Sequence, residues 1–309
     1  MAELRFDGRV AVITGAGRGL GRSYALLLAE RGAQVLVNDL GASPTGEGRS
    51  TAPAEEVVAE IRAKGGRAEA DFGDAGSQDD AEAMVARAVE AFGRVDIVIA
   101  NGGGVETVDP FGEMSRASFD SMVRTHLGGP FGVSRAAWPH MVRQGYGRII
   151  LTSSHCALGT DRQAHYCAAK AGVLGLMRAL SVEGPQLGIQ ANAILPVAMT
   201  RLVAATYAAR GEDAPAPLSM PPAVVAPAAA WLAHESCKAN GEMIGAGAGW
   251  VGRTFYGQTL GFADPAALTI EEVRDRWAEI SDEAGYEVGW SVAEVGAGIS
   301  KGLAQGAGA

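Results

Sequence analysis

Tyr166-Cys167-Ala168-Ala169-Lys170 carries a phenol and an ammonium four residues apart. In a helix of about 3.6 residues per turn that spacing puts both on one face, so the two groups can point into one cleft. A free phenol ionises near pH ~10, too high for a base at neutral pH, and a fixed cation a few ångströms away favours the phenolate. The pair is a candidate general acid or base. Just upstream an apolar run closes on Ser153 and Ser154, and a hydroxyl from either could hold a substrate oxygen beside that phenol. Cys167 reads as a helix residue turned from the cleft, with no base in view to activate it. His155 and His165 flank the stretch and read equally well as substrate contacts or loop residues. No carboxylate or cysteine cluster accompanies them at metal-ligand spacing, so no metal is expected.

A lone Tyr-x-x-x-Lys is more often a solvated helix face than a site; the elements around it reverse those odds. Arg9 to Thr14 reads RVAVIT, an apolar run with β-branched residues, and passes into GAGRGLG and then the helix-like SYALLLAERG. Strand, glycine turn and helix in that order can cradle a pyrophosphate: Gly15, Gly19 and Gly21 let backbone amides come close, and the helix start favours negative charge. The next strand, Gln34 to Asn38, ends at Asp39, where a carboxylate can accept from both adenosine ribose hydroxyls. That favours NAD, since Asp39 repels a 2'-phosphate even though Arg18 stands beside Gly19. Gly41 to Ser50 is a polar, glycine-rich loop that could fold over the ribose.

Further along, Ala54 to Lys64 and Gln78 to Phe92 read as helices around a short strand near Ala68, which leads into Asp71-Phe72-Gly73-Asp74. Asp71 is placed either to accept from an adenine amino group or as an ordinary loop residue. Val95 to Ala100 is an apolar strand running into Asn101-Gly102-Gly103-Gly104, bare backbone at the carboxyl edge of a sheet. Ser118 to Val142 is a long helical pattern carrying His126, with Gly128-Gly129-Pro130 expected to kink it. Arg148 to Leu151 is a strand, Gln163 to Glu183 a helix, and Ile189 to Leu195 a strand ended by Pro196. Thr200 to Met220, rich in alanine and then proline (Pro215, Pro217), is a candidate lid. Val224 to His234 is a helix and Met243 to Ala246 a last strand. The alternation implies an α/β fold with a doubly wound parallel sheet and helices on both faces. It stops after Ala246, dividing the chain into residues 1–246 and an extension, 247–309. In the extension Thr269-Ile270-Glu271-Glu272 has the capping-box pattern, and Ile270, Val273, Trp277 and Ile280 make one apolar stripe that needs a surface to pack on. The final GLAQGAGA reads as frayed.

At 309 residues, 48% hydrophobic and 20% charged, the chain can bury a large core. Its formal charge of −9 argues against nucleic acid or anionic membrane as a main partner. No apolar run reaches the ~18 residues of a membrane helix, and no basic, apolar leader opens the chain. A cytoplasmic protein is expected. Cys156, Cys167 and Cys237 show neither framework nor zinc spacing and are expected as free thiols.

Taken together, TGAGRGLG, Asp39, Asp71, Asn101 in ANGGG, TSS ending at Ser154, YCAAK and Pro196 resemble the short-chain dehydrogenase/reductase family over about residues 8 to 246. Further words, VNDLG, EVVAEIRAKGG, RTHLGGPF, RAAWPHM, YGRIILTSS, WLAHESC and GAGAGW, are similar to the family's branch of (3R)-hydroxyacyl-CoA dehydrogenase units from the peroxisomal multifunctional enzymes of type 2. The resemblance implies a Rossmann-type single domain, NAD as cofactor, and a small-molecule substrate. It implies catalysis by Ser154, Tyr166 and Lys170, with His126 standing where the family has an asparagine that maintains a water chain to the lysine. Cofactor binding is implied for Gly15, Arg18, Gly19, Leu20, Gly21, Asp39, Asp71, Phe72, Asn101, Gly102, Gly103 and Pro196, with Tyr166 and Lys170. A homodimer or homotetramer is implied as well. Three departures stand out: ANGGG replaces the usual NNAG-like word, the Ser154 to Tyr166 stretch is one residue short, and the usual glycine after Pro196 is missing. Family spacing counted from Tyr166 names Ser153, whereas the strand end names Ser154, which is preferred because loops absorb deletions more readily than buried strands. The implied substrate is a 3-hydroxyacyl-CoA, with Arg162 and Arg201 as candidates for its phosphates; a steroid or other cyclic or polyketide alcohol or ketone is the alternative. A catalytically silent NAD-binding scaffold is the competitor outside enzymes.

Overall fold

Four consecutive apolar residues, Val10–Ile13, form β1, buried on both faces, as a central parallel strand must be. The computed structural model describes residues 3–43, 46–104, 108–213, 220–262, 269–289 and 291–296; Pro215, Pro217 and the final GLAQGAGA lie outside them. From β1 the chain alternates: α1 (Gly19–Glu30), β2 (Gln34–Asn38), α2 (Ala52–Ala63), β3 (Arg67–Asp71), α3 (Gln78–Phe92), β4 (Ile97–Ala100), α4 (Arg116–Val123), α5 (Gly129–Gln144), β5 (Gly147–Thr152), α6 (Ala164–Glu183), β6 (Ile189–Val197), α7 (Arg201–Arg210), α8 (Ala226–Ala233), β7 (Met243–Gly247), β8 (Trp250–Thr254), α9 (Ile270–Asp275) and α10 (Trp277–Ile280).

The eight strands form one sheet in the order β3-β2-β1-β4-β5-β6-β7-β8, with β1 to β7 parallel throughout. The order reverses between β1 and β4, and such a switch point opens a crevice at the carboxyl ends of the two strands. Alternate side chains feed two cores. Ile13, Val35 and Ile99 face α1, α2 and α8 through Tyr24, Leu28, Ile61 and Leu232; Val12, Leu36 and Val98 face α3, α5 and α6 through Met84, Met141, Val173 and Met177. Each fully buried side chain of this kind contributes about 1.5–3 kcal/mol, so the sheet's carboxyl edge is fixed by a rigid platform.

Three features differ from the sequence reading. The long helix around His126 is interrupted, but by a π-helical turn at Arg124–Gly128, upstream of the Gly-Pro step; it runs on into α5 with Pro130 as the second residue. Pro196 does not end β6, which continues to Val197: β5 has already ended opposite Ile194, and Pro196 pairs beside Ala246 of β7. Beyond β7, Ala248 (φ 50) and Gly249 (φ 78) form a two-residue turn, a link that only an antiparallel pair permits. It adds β8 to the sheet.

By its internal contacts the chain forms two compact units, 1–253 and 254–309. Within the second unit Thr269 forms the capping box with Glu272. The apolar stripe is split between α9 and α10 at Arg276, with Ile270 85% and Trp277 61% exposed.

Candidate active site

At the switch point the glycine turn after β1 meets ANGGG after β4. Thr14 joins them: its hydroxyl accepts from the amides of Asn101 and Gly102 (both 2.9 Å), while Asn101 Nδ2 donates to Thr14 O (3.1 Å). The approach leaves no room for side chains. A Cβ on Gly15 (φ +63) would stand 2.8 Å from Gly102 Cα, and one on Gly21 only 2.2 Å from Gly15 O. Gly19 (φ +54) instead has nothing near its missing Cβ, so its backbone is bare toward the cavity.

That cavity measures about 660 Å³ and is lined by Gly15, Arg18, Gly19, Leu20, Asp39, Asn101, Gly102, Gly103, His126, Ser153, Ser154, Tyr166, Lys170 and Pro196. The size is ample for a cofactor and substrate. Asp39, buried at the end of β2, accepts from Gly17 N (2.9 Å) and Gly41 N (2.8 Å), one bond to each oxygen. Each oxygen keeps a further lone pair for a ribose hydroxyl.

Gly21, Asp71 and Phe72 are not among the lining residues. Gly21 serves close packing of the turn. Asp71 Oδ1 accepts from Asn38 Nδ2 (2.7 Å) and Gly73 N (3.0 Å), and Phe72 packs against the α1 side core. Gly73 to Gly76 stand at the cavity in their place.

The reactive group is assembled from β5, α6 and the π turn. The two serines separate by role. Ser153, 2% exposed, donates from its hydroxyl to Lys170 O (2.8 Å) and so braces β5 against α6. Ser154 Oγ accepts from Cys156 N (3.1 Å) at the start of the 3₁₀ turn His155–Leu158, and lines the cavity together with Tyr166. Lys170 Nζ donates to Thr152 O (2.7 Å) and lies 5.7 Å from the Tyr166 ring centroid. His126 stands edge-on to Tyr166, centroids 5.1 Å apart, with Nε2 2.7 Å from Gly104 O. A carbonyl only accepts, so Nε2 carries the proton and Nδ1 is the bare acceptor.

Burial decides the protonation states. It lowers Lys170 from its ordinary 10.5 to about 8, and His126 to about 3, with Lys170 adding to the effect. It also pushes the Tyr166 phenol well above its ordinary value, Cys156 adding to the rise and Ser154 opposing it. With no cofactor or substrate in the cavity, that burial favours the neutral phenol of Tyr166, which has a proton to give. Two buried polar atoms at the cavity, Thr152 Oγ1 and His126 Nδ1, have no partner among the described residues. With the bare Gly19 backbone and the free lone pairs of Asp39, they suit a polar dinucleotide and a polar substrate group.

Residues 9–210 match the family described as short chain dehydrogenase. The chain belongs to that family. Among similar short-chain dehydrogenases, mouse peroxisomal multifunctional enzyme type 2 is 45% identical over 285 residues, 91% of this chain but 38% of that enzyme. The solved full-length peroxisomal multifunctional enzyme type 2 of Drosophila melanogaster superposes with a TM-score of 0.78 at 32% identity, over 98% of this chain and 50% of that one. The chain therefore spans about half or less of these relatives. A 7α-hydroxysteroid dehydrogenase, solved with NADH and 7-oxo glycochenodeoxycholic acid, gives a TM-score of 0.70 at 28% identity over 81% of this chain and 98% of that one.

Of the two arginines read as substrate contacts, Arg162 (φ 58) turns to Val108 O (3.1 Å) and does not line the cavity. Arg201 does, at the Asp39 end. The sequence reading missed Gly17, whose Cβ would meet Asp39 Oδ2 at 2.8 Å, and the carbonyls of Thr152 and Gly104, which orient Lys170 and His126. Gly17 sat in the glycine motif; backbone carbonyls leave no sequence signal. His155 is set against Trp250, and His165 is fully buried, its Nδ1 accepting from Tyr166 N (2.8 Å). Neither lines the cavity. All three cysteines are free.

Proposed function

We propose that this short-chain dehydrogenase transfers hydride between NAD(H) and a secondary alcohol or ketone, with a 3-hydroxyacyl-CoA-like thioester as substrate. The observation that carries the proposal is the convergence of Ser154, Tyr166 and Lys170 on the same cavity as the glycine turn and Asp39. NAD(H), when bound, supplies or accepts the hydride. Asp39 would hold its adenosine ribose, and the Gly15 to Leu20 turn its phosphates. Ser154 Oγ orients the substrate oxygen. In the reductive direction Tyr166, a neutral phenol, gives its proton to that oxygen as negative charge develops; in oxidation the phenolate takes it back. Lys170, held by Thr152 O, supplies the positive charge that favours the transient phenolate. His126 keeps the phenol in place by its edge contact and offers Nδ1 as a proton acceptor behind it.

The thioester substrate is supported by the likeness to multifunctional enzymes of type 2. The likeness to a bile-acid dehydrogenase favours a cyclic alcohol or ketone as the second reading. Comparing kcat/KM for a 3-hydroxyacyl-CoA with that for the same acyl group on a short thiol decides between them: equal values remove CoA recognition and promote the cyclic ketone. No NADH formation with either substrate class would leave a silent NAD-binding scaffold.

A homodimer or homotetramer is part of the proposal, with the C-terminal segment and its stripe of Ile270, Val273 and Trp277 covering either its own core or a partner's pocket. A monomer by light scattering at micromolar concentration refutes it. Free thiols suit a reducing compartment, which supports the cytoplasm, and the mouse relative is named peroxisomal; cell fractionation tests the placement. Among the described residues no helix is long and apolar enough to cross a membrane.

A further inference from the structure

Two buried imidazoles carry complementary unpaired nitrogens behind the cavity. His165 is fully buried at the start of α6. Its Nδ1 accepts from the amide of Tyr166 (2.8 Å), one of the first-turn donors that a helix leaves without a partner, and Gln163 at the N-cap supplies no side-chain bond of its own. His165 therefore caps the helix at the tyrosine itself. An accepting Nδ1 is bare, so the ring proton sits on Nε2, and that buried donor has no partner among the described residues.

His126 is the opposite case. Its Nε2 donates to Gly104 O (2.7 Å), which leaves Nδ1 as a buried acceptor, equally unpaired. The rings are neighbours: the π turn packs on α6, and His165 joins burial and Lys170 in lowering the His126 pKa. One ring has a donor to spare and the other an acceptor, and leaving both unmade in a dry interior is costly. No direct bond joins them; a single water, accepting from His165 and donating to His126, satisfies both. His126 lines the cavity and His165 does not, so this link lies behind the phenol, away from cofactor and substrate.

We propose that His165 is a positioning residue for Tyr166, acting at two points: it caps the Tyr166 amide, and through a buried water shared with His126 Nδ1 it fixes the ring that stands edge-on to the phenol. This rests on the reading of Tyr166 as the group that transfers the proton. Without the link, the bond to Gly104 O is the one hydrogen bond left to the His126 ring among the described residues.

The test separates the two nitrogens of His165. Asparagine places an oxygen where Nδ1 stands and loses the Nε2 donor, and glutamine does the reverse. His165→Asn is expected to melt close to wild type and to lose about tenfold in kcat with KM little changed, whereas His165→Gln is expected to melt lower and keep kcat within about threefold. A second readout needs no turnover: the chain has five histidines, whose ring-nitrogen NMR signals report each tautomer. Wild type is expected to show His126 and His165 both protonated at Nε2, His165→Asn to shift the His126 Nδ1 signal, and His165→Gln to restore it. A His165 ring protonated at Nδ1, an unmoved His126 signal in His165→Asn, or equal kcat losses in the two variants overturns the proposal. A wild type that turns over no substrate, with the tautomers and shifts as expected, overturns the role given to Tyr166 and leaves the link between the two imidazoles supported.

Discussion

Replacing Lys170 by methionine should separate the cost of the buried cation from its use. In the folded chain Lys170 is lowered from 10.5 to about 8 by burial, and at about 1.36 kcal/mol per pH unit that gap amounts to about 3 kcal/mol held against folding while the amine is charged. The sign follows from proton binding. Below pH 8 both folded and unfolded chains hold the proton, and the penalty is fully present. Between about 8 and 10.5 only the unfolded chain holds it, so wild-type stability rises with pH across that window. Lys170→Met removes this dependence. It also loses the 2.7 Å bond to Thr152 O, a charge-assisted bond of about 1.5–3 kcal/mol, so at pH 7 the two changes nearly cancel. Urea unfolding as a function of pH is the assay. The variant is expected within about 2 kcal/mol of wild type at pH 7, to fall behind as pH rises toward 10, and to be inactive throughout. Parallel stability curves for the two proteins would falsify the assignment of a strained, buried ammonium at this position.

The two serines should part company. Ser154→Ala is expected to lower kcat by about 100-fold or more with little change in melting temperature, whereas Ser153→Ala, which frees Lys170 O, costs about 1 kcal/mol of stability and leaves most activity; the reverse pattern refutes this division of roles. Gly103→Ala puts a Cβ 2.4 Å from His126 Cε1, and with His126 pinned between Gly104 O and Tyr166 the ring must move, so kcat should drop at least about tenfold and stability by about 1–3 kcal/mol; wild-type kinetics would show that the ring is not positioned by this contact. Asp39→Ala is expected to narrow the preference for NAD over NADP in kcat/KM, and a wild-type enzyme already faster with NADPH contradicts the weight placed on Asp39.

Where local chemistry set an element, the sequence showed it plainly. Helix α3 runs from Gln78 to Phe92 as read, because Ser77 caps its start and Gly93, at φ 82, ends it. The Tyr166 to Lys170 face and the strand, glycine turn and helix around Gly15 were legible for the same reason: short-range periodicity and a turn only glycine can make. What escaped depended on neighbours far along the chain. Pro196 looks like a strand end until β5 is known to have stopped beside it. The π turn at Arg124–Gly128 has no sequence mark, since one added residue in a helix turn is fixed by tertiary packing, yet it carries His126. The bond of Asp71 Oδ1 to Asn38 and the upward push of burial on Tyr166 likewise depend on the whole fold and leave no mark in the local sequence.

The central claim is that Tyr166 transfers the proton in a dinucleotide-linked reaction. Tyr166→Phe keeps the ring against His126 and removes only the hydroxyl. Measured side by side, NADH affinity by fluorescence titration and turnover of a 3-hydroxyacyl-CoA should diverge, with binding within about twofold of wild type and kcat down by about 100-fold or more. Turnover near the wild-type rate, with NADH still bound, would contradict the account.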